Sequence, residues 1–392
     1  NESWRQMRDF FYDPGMHGLN WQSIKDKYKV LLPSVNNRTD LTYIIGEMIG
    51  ELSIGHSYVG GGDAPKPDRI LMGLLGAKIS KDTSGYFRIN EIMKGENWEE
   101  VTRSPLTEVG VNVNKGDYIL AVNGVSTKTV QDIYELLINT ANKTTEITVN
   151  SKPALTGSHK TLMTPVADES GLYYLEWVRK NIDYVSSKTN GEVGYIHIPD
   201  MGTEGLNEFV KYFYSQLTKK ALIIDDRGNG GGNVSPQIVE RLRREAAFYT
   251  LPRNVTIPNA DPEEVVGPKV LLIDQYSASD GDIFPYRFRK YGLGKIIGRR
   301  SWGGVVGIRG SLPFIDGGTL SKPEFARFDA AGGATWPMEG HGVDPDIEVI
   351  NSPSDEFKGK DDQLDKAIEV IKGELLQRKE NPAPPPYPKK NK

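Results

Sequence analysis

A serine that precedes a helix is the residue best suited to covalent chemistry in this sequence. Residues 270–282 read VLLIDQYSASDGD, so an apolar strand ends near Asp274 and a helix begins after Ser279. A hydroxyl at a helix N-terminus lies beside unpaired backbone N–H groups in a positive dipole, a setting that stabilises an oxyanion. The same pattern is that of an ordinary N-cap, which on this string alone is the commoner role.

A glycine-rich turn is the second chemical feature. Residues 223–233 read IIDDRGNGGGN, and a helix is expected near residues 234–242. Successive glycines expose backbone N–H groups to a ligand, although a turn without a ligand is the plain alternative. The string lacks the lysine of a P-loop and the spacing of a dinucleotide site. Because the carboxyl ends of neighbouring strands face one edge of a sheet, we expect a crevice there.

The base that a serine nucleophile requires has three candidates among the five histidines. His56 lies between glycine and serine in a loop, His197 lies in a strand, and His341 lies in a loop with several acids. Residue type and spacing leave the choice open. The histidines are scattered and cysteine is absent, which excludes disulfides and cysteine nucleophiles and makes a zinc site unexpected. We predict no cofactor.

Composition argues against two classes of protein, those that bind nucleic acid through its phosphates and those that span a membrane. The 392 residues suggest two to three domains, and 48 basic against 52 acidic residues argue against binding nucleic acid through phosphate neutralisation. No apolar run reaches 18 residues, so no membrane span is predicted. The chain begins with Asn1, and we expect a piece of a longer protein. The sequence is compatible with a homo-oligomer. It is also compatible with either a cytoplasmic or a periplasmic location.

Hydrophobic periodicity divides the chain into segments. Residues 1–62 are predicted to be helical, with Ser3 and Gln6 as a capping box and Asp40 as the cap of the clearest helix. Residues 168–350 alternate strands and helices, which predicts an α/β core with largely parallel pairing. A helix at 361–379 and a disordered tail at 381–392, rich in proline and lysine, complete the expected organisation.

Residues 70–150 have a different pattern, with short apolar runs between turn residues. The string NKGDYILAVNG at 114–124 predicts a strand that Asn123-Gly124 turns back as a hairpin, followed by a helix at about 129–139. This segment resembles a PDZ domain, with an unrelated small β domain as the alternative. The resemblance implies a groove that binds an extended peptide by strand addition.

In chain order, these strings resemble the C-terminal processing peptidases, also called tail-specific proteases, and most closely their tricorn branch. The likeness begins with WRQMRDFFYDPGMHGLNW at 4–21 and GHSY at 55–58, and it ends with EGHGVDPDI at 339–347. It implies a crotonase-like ββα spiral within the α/β core. It also implies a serine peptidase that acts on peptides or oligopeptides by acyl transfer. Tricorn chains carry β-propeller domains before this region, and this sequence has none.

The resemblance also assigns roles to individual residues. It implies the catalytic residues Ser279 (nucleophile), His56 (base) and Glu339 (supporting acid), and the oxyanion-hole residues Asp280, Gly232 and Gly231, with Gly232 favoured over Gly231. The family's tricorn branch has a serine directly before the histidine, where this chain has Gly55. Glu339 is therefore expected to reach His56 through water, through Ser57 or directly. The bacterial relatives use a Ser–Lys dyad, but no lysine lies in the strings that match it here.

Two other functions remain open at this point. One is a non-catalytic peptide-binding module on a peptidase scaffold, because a fold does not fix a function. The other is an acyl-CoA enzyme with the crotonase fold, against which His56 and the PDZ-like segment argue.

Overall fold

The computed structural model describes residues 1–255, 259–260, 267–309, 312–333, 336–378 and 381–389. Within these ranges the α-helices are α1 (Glu2–Phe10), α2 (Trp21–Lys29), α3 (Arg38–Gly50), α4 (Ser170–Lys188), α5 (Thr203–Tyr214), α6 (Ser235–Leu242), α7 (Asp280–Lys290), α8 (Pro353–Glu356) and α9 (Asp362–Leu376). The strands are β1 (Val59–Gly61), β2 (Ala77–Lys81), β3 (Phe87–Ile92), β4 (Tyr118–Val122), β5 (Val125–Ser126), β6 (Thr145–Asn150), β7 (His159–Met163), β8 (Val193–His197), β9 (Ala221–Asp225), β10 (Tyr249–Thr250), β11 (Asn259–Ala260), β12 (Lys269–Ile273), β13 (Gly294–Gly298), β14 (Gly307–Arg309), β15 (Gly318–Leu320), β16 (Lys322–Phe325) and β17 (Ile347–Glu348).

The chain divides into two compact units. One comprises Asn1–Pro65 together with Tyr184–Lys392, and the other comprises Lys66–Asp183. The boundary falls inside α4, so it differs from the predicted limits at 150 and 168. No helix of the described residues is long and apolar enough to cross a bilayer.

The first three helices of the larger unit pack around a hydrophobic core to which β15 also contributes. It is formed by Trp4, Met7, Phe11, Met16, Trp21, Met48, Ile49, Leu52 and Leu320. Both capping predictions are wrong: Asn37 caps α3 by accepting from the N–H of Asp40, and α1 already begins at Glu2, which leaves Ser3 inside the helix. Strand β1, which follows α3, pairs with β15 and so joins this part of the unit to its C-terminal half.

A five-stranded parallel sheet, in the order β17-β13-β12-β9-β8, is the centre of the larger unit. Every residue of β8, β9 and β12 is buried, which is typical of strands covered on both faces. Helices α5, α6 and α7 connect successive strands, and α9 packs against β9 and β12. The predicted parallel pairing is confirmed, and it brings the loops after β9 and β12 to one edge of the sheet.

The smaller unit is built on an antiparallel sheet in the order β2-β3-β4-β6-β7, with β5 paired to β4. The predicted hairpin forms, with positive φ angles of 46° at Asn123 and 82° at Gly124. The predicted helix at 129–139 is wrong. Two short 3₁₀ helices, Thr127–Thr129 and Ile133–Leu137, stand there, because Ser126 and Asp132 each cap a separate turn. Strand β7 pairs with β6, so the sheet continues beyond residue 150.

The helix predicted at residues 361–379 is observed as α9, which ends at Leu376 with Gln377 as its C-cap. Residues 381–389 form neither helix nor strand. Residue 379 of the predicted helix and residues 390–392 of the predicted tail lie outside the described residues.

Candidate active site

Ser279 occupies the turn between β12 and α7 in an unusual backbone conformation. Its φ is 59° and its ψ is −115°, and it is the N-cap residue of α7. A non-glycine residue at positive φ is strained and persists only where its surroundings hold it. A sharp strand-to-helix turn of this kind presents the nucleophilic serine in α/β-hydrolases. The N-cap role and the nucleophile role are therefore compatible here.

Gly231 lies directly against this turn. A Cβ atom on Gly231 would stand 2.5 Å from Ser279 Cβ and 3.0 Å from the backbone nitrogen of Asp280. The φ of Gly231 is 95°, which also favours glycine. Only a residue without a side chain allows the glycine-rich turn to approach the serine this closely.

Two backbone N–H groups, one in the serine turn and one in the glycine-rich turn, are unpaired among the described residues. Within the described part of the chain, the N–H groups of Asp280 and Gly232 have no hydrogen-bond partner. The N–H of Gly231 is engaged, because it donates to Asn229 Oδ1 at 2.9 Å. The Asp280 carboxylate accepts from the N–H of Ser235 at 2.9 Å and from its hydroxyl at 2.6 Å. Unpaired N–H groups of this kind stabilise a developing oxyanion, and of the two glycines Gly232 has the available donor.

The two loops that carry these groups are bonded to each other. The N–H of Ala278 donates to the Asn229 carbonyl at 2.8 Å, and the hydroxyl of Ser277 donates to the Asp226 carbonyl at 2.8 Å. Asn229 Nδ2 in turn donates to the Ile198 carbonyl after β8 at 3.0 Å. The carboxyl ends of three neighbouring strands thus fix the turn that holds Ser279.

His56 is buried in the loop after α3, with 8% of its surface exposed. Its Nδ1 lies 2.7 Å from the carbonyl oxygen of Val306. A carbonyl can only accept, so Nδ1 carries a proton, and in the neutral ring Nε2 is then the nitrogen with the lone pair. The ring also packs edge-on against Trp302, with 5.6 Å between centroids. Among the described residues Nε2 has no hydrogen-bond partner, and no hydrogen bond joins His56 to Ser279.

Glu339 contacts the backbone around His56. Its Oε2 accepts from the N–H groups of Val305 at 2.7 Å and Val306 at 2.8 Å, and its Oε1 accepts from the N–H of Gly55 at 3.3 Å. Val306 thus donates to Glu339 through its N–H and accepts from His56 through its carbonyl. Glu339 therefore reaches His56 through the main chain of Val306.

Two of the three expected links between Glu339 and His56 are absent from the described residues. No hydrogen bond joins the two side chains directly, and the hydroxyl of Ser57 is buried without a partner. The connection through Val306 was missed by sequence reasoning, because the sequence carries no signal for a role of a main-chain carbonyl. Sequence reasoning also missed the contact between the Trp302 ring and the His56 ring.

The other candidate bases lie in different settings. His197 is buried in β8 with Nε2 3.0 Å from the Arg227 carbonyl, and burial lowers its pKa. His341 is exposed and pairs with Asp344 at 2.7 Å. Lys269 has its pKa lowered by burial to about 8, but it begins β12, whereas Ser279 follows the carboxyl end of that strand. None of these three shares the contacts that hold His56.

Two neighbouring acids at the end of β9 differ in their surroundings. Asp225 is fully buried and bonded to the Arg227 guanidinium at 2.6 Å; burial raises its pKa, but Arg227 outweighs this and lowers it. Asp226 is also fully buried, and neither of its side-chain oxygens has a partner. Burial, together with the surrounding carboxylates, raises the pKa of Asp226 well above its ordinary value. No group of three or more His, Asp or Glu residues in the described ranges is arranged to hold a metal ion.

Comparison with known proteins gives three domain matches in chain order. Residues 1–50 match the tricorn protease C1 domain, residues 73–168 match the tricorn protease PDZ domain, and residues 192–349 match peptidase family S41. The peptidase match contains Ser279 and Glu339, whereas His56 lies just beyond the C1 match.

The chain is also similar to whole tricorn proteases along nearly its full length. It is 36% identical to tricorn protease homolog 1 of Streptomyces coelicolor over 99% of this chain and 36% of that protein. It is 36% identical to the tricorn protease of Thermoplasma acidophilum over 96% of this chain and 34% of that protein. A crystal structure of tricorn protease superposes with a TM-score of 0.87, covering 96% of this chain and 36% of the other. The chain therefore spans little more than a third of the length of these relatives. With its C1, PDZ and peptidase domains in this order, it belongs to the tricorn family of S41 peptidases.

Proposed function

We propose that this protein is a serine peptidase that hydrolyses peptides or oligopeptides by acyl transfer. Ser279 Oγ attacks the scissile carbonyl carbon while its proton passes to His56 Nε2. The C–N bond then breaks, His56 returns the proton to the leaving amine, and an acyl-enzyme ester remains on Ser279. Water activated by His56 hydrolyses this ester, which releases the acid product and restores the serine hydroxyl.

The remaining roles follow from the contacts of the site. The N–H groups of Asp280 and Gly232 are the proposed donors to the oxyanion of the tetrahedral intermediate. Glu339 is a positioning residue, because its carboxylate binds the main chain that orients the His56 ring. We further propose that the parallel sheet and its crossover helices are a crotonase-like ββα spiral, and that residues 1–62 are the subdomain that supplies the base.

One observation carries the proposal. A serine at positive φ stands at a helix N-terminus against a glycine-rich turn, and the N–H groups of Asp280 and Gly232 have no partner among the described residues. A histidine that donates through Nδ1 comes from the same compact unit. Each of the three requirements of acyl transfer, which are a nucleophile, a base and an oxyanion site, has a residue in a suitable state.

Peptide hydrolysis by substituted proteins tests the proposal. Ser279→Ala and His56→Ala should each lower kcat on the order of 10³-fold or more, and the double variant should be little worse, because the two residues act as one unit. His341→Ala is the matched control, since it removes an exposed histidine from the same unit. Hydrolysis that persists in Ser279→Ala would contradict the assignment.

The smaller unit is proposed to bind extended peptides by strand addition. Strand β2 lies at one edge of its sheet and β7 lies at the other. In hydrogen exchange with a saturating unstructured peptide, the amides of β2 should become protected and those of β7 should not. Equal protection of both edges, or of neither, would contradict this proposal. Protection of β2 in a protein that shows no Ser279-dependent hydrolysis would instead favour the non-catalytic peptide-binding module.

A further inference from the structure

Asp282 is a buried carboxylate that lies between the two halves of the candidate site. It is fully buried, in the first turn of α7, three residues after Ser279. Its Oδ2 accepts from the N–H of Ser279 at 2.8 Å. Its Oδ1 accepts from the hydroxyl of Ser301 at 2.5 Å and from the N–H of Gly303 at 2.7 Å. Both oxygens are thus engaged, and each binds a different part of the chain.

The part of the chain that binds Asp282 Oδ1 also holds the proposed base, His56. We call residues 301–306 the base-supporting segment. Trp302 of this segment packs against the His56 ring, and the carbonyl of Val306 accepts from His56 Nδ1. The segment is anchored elsewhere by Ser301, whose hydroxyl accepts from the N–H of Val343 at 2.8 Å. Asp282 is therefore bonded to the nucleophile on one side and to the support of the base on the other.

From these contacts, and resting on the proposed function, we infer that Asp282 is a positioning residue that fixes the separation of Ser279 and His56. Neither catalytic side chain touches the Asp282 carboxylate in the described structure, so Asp282 acts through the two backbones. The strain at Ser279 requires such a partner, because a serine at positive φ persists only when neighbouring groups hold it. A displacement of about 1 Å between nucleophile and base is enough to cost about 100-fold in rate.

Burial disfavours the charged form of the Asp282 carboxyl group, and its hydrogen bonds favour that form. Removal from water raises the pKa of Asp282 above its ordinary value, and the hydrogen bonds from Ser301, Gly303 and Ser279 oppose this rise only in part. In an ordinary capping box the side chain of the N3 residue accepts only from the N–H of the N-cap residue, which here is Ser279. The bonds to Ser301 and Gly303 go beyond capping, since they join α7 to a different loop.

Asp282→Asn tests the inference because it keeps the shape of the side chain. The amide has one oxygen, so whichever way it turns, either Ser279 or the base-supporting segment loses its acceptor. We expect kcat per active site to fall about 100-fold and KM to change by less than about threefold. Asp117→Asn is the matched control, because it neutralises a buried acid of the other unit, which accepts the N–H of Asn114 at 2.8 Å. It should leave kcat per folded molecule unchanged.

A second variant keeps the inference testable if Asp282→Asn does not fold. Ser301→Ala removes one of the two bonds to the segment, so its kcat should fall about tenfold. The double variant should be no slower than Asp282→Asn alone, since both changes break one link. Unchanged kcat in Ser301→Ala, or more than a third of wild-type kcat in folded Asp282→Asn, would overturn the inference.

A crystal structure of Asp282→Asn separates this inference from the proposed function. The φ of Ser279 should leave the positive region, or the base-supporting segment should move away from α7. An unchanged Ser279 turn and segment would overturn the inference even if the wild-type protein is an active peptidase. If the wild type shows no Ser279-dependent hydrolysis, the proposed function fails, and the movement in the crystal still decides the positioning role.

Discussion

Replacement of Glu339 by glutamine is the perturbation whose size the structure defines best. The carboxylate accepts three backbone N–H groups, two of them at 2.7 and 2.8 Å on Oε2 and one at 3.3 Å on Oε1. Glutamine can keep its oxygen toward Val305 and Val306, but its amide group then faces the N–H of Gly55. Hydrogen bonds to a charged group contribute about 1.5–3 kcal/mol and neutral ones about 1 kcal/mol. Each of the two short bonds therefore weakens by about 0.5–2 kcal/mol, which is about 1–4 kcal/mol in total.

This weakening sets a limit on the loss of rate. Since about 1.4 kcal/mol corresponds to a factor of ten, Glu339→Gln should lower kcat by roughly 5- to 700-fold. The loss should stay below the roughly 10³-fold expected for His56→Ala, because the imidazole remains bonded to the Val306 carbonyl.

The assay is steady-state hydrolysis of a short chromogenic peptide, with active sites titrated by a fluorophosphonate. Glu169→Gln is the matched control, since Glu169 also accepts a backbone N–H, from Gly76 at 3.1 Å, in the other unit. It should leave kcat unchanged. A Glu339→Gln protein as slow as His56→Ala would refute a link through the main chain and indicate direct contact with the base. A protein as fast as wild type would refute any positioning role for Glu339.

Two further predictions concern Gly55 and Asp226. A Cβ at residue 55 would lie 3.0 Å from Gly304 Cα and 3.5 Å from Glu339 Oε1, so Gly55→Ala should lower kcat several-fold. Gly55→Ser should lower kcat less, because its hydroxyl can bond to Glu339. Equal losses of kcat in the two variants would contradict this prediction. For Asp226, a raised folded-state pKa means that the folded protein holds a proton that the unfolded chain releases, so wild-type stability falls as pH rises above the ordinary aspartate range. Asp226→Asn removes this slope, so its stability relative to the wild type in urea unfolding should increase from pH 5 to pH 8. Asp225→Asn, which leaves Arg227 without its main partner, should instead destabilise the protein at both pH values.

The elements of the fold that the sequence predicted well are those with strong local signals. The buried strands β8, β9 and β12 read as continuous apolar runs, and α9 shows a clear helical period, so both were expected within a few residues of their observed bounds. A local signal gave a wrong prediction where a hydrogen bond to the sheet opposed it. The region after the Asn123-Gly124 hairpin has helix-like spacing, but Thr127 Oγ1 donates to the Ile119 carbonyl at 2.7 Å and draws the chain back to the sheet.

The candidate site could be predicted only where side chains carry the role. The serine at a strand-to-helix junction and the glycine-rich turn are visible as patterns, and resemblance selected His56 among the histidines. The link between Glu339 and His56 was not predictable, because it runs through the main chain of Val306, some 250 residues from the histidine in sequence. Asp282 left a partial signal, since Ser279 and Asp282 have capping-box spacing, but its bonds to Ser301 and Gly303 depend on tertiary structure.

Mass spectrometry of the protein after reaction with a fluorophosphonate tests the central claim most directly. We predict one adduct per chain, on Ser279. Labelling should be absent in Ser279→Ala and on the order of 10³-fold slower in His56→Ala. An adduct on another residue, no adduct at all, or an undiminished rate in His56→Ala would contradict the assignment of Ser279 as nucleophile and His56 as its base.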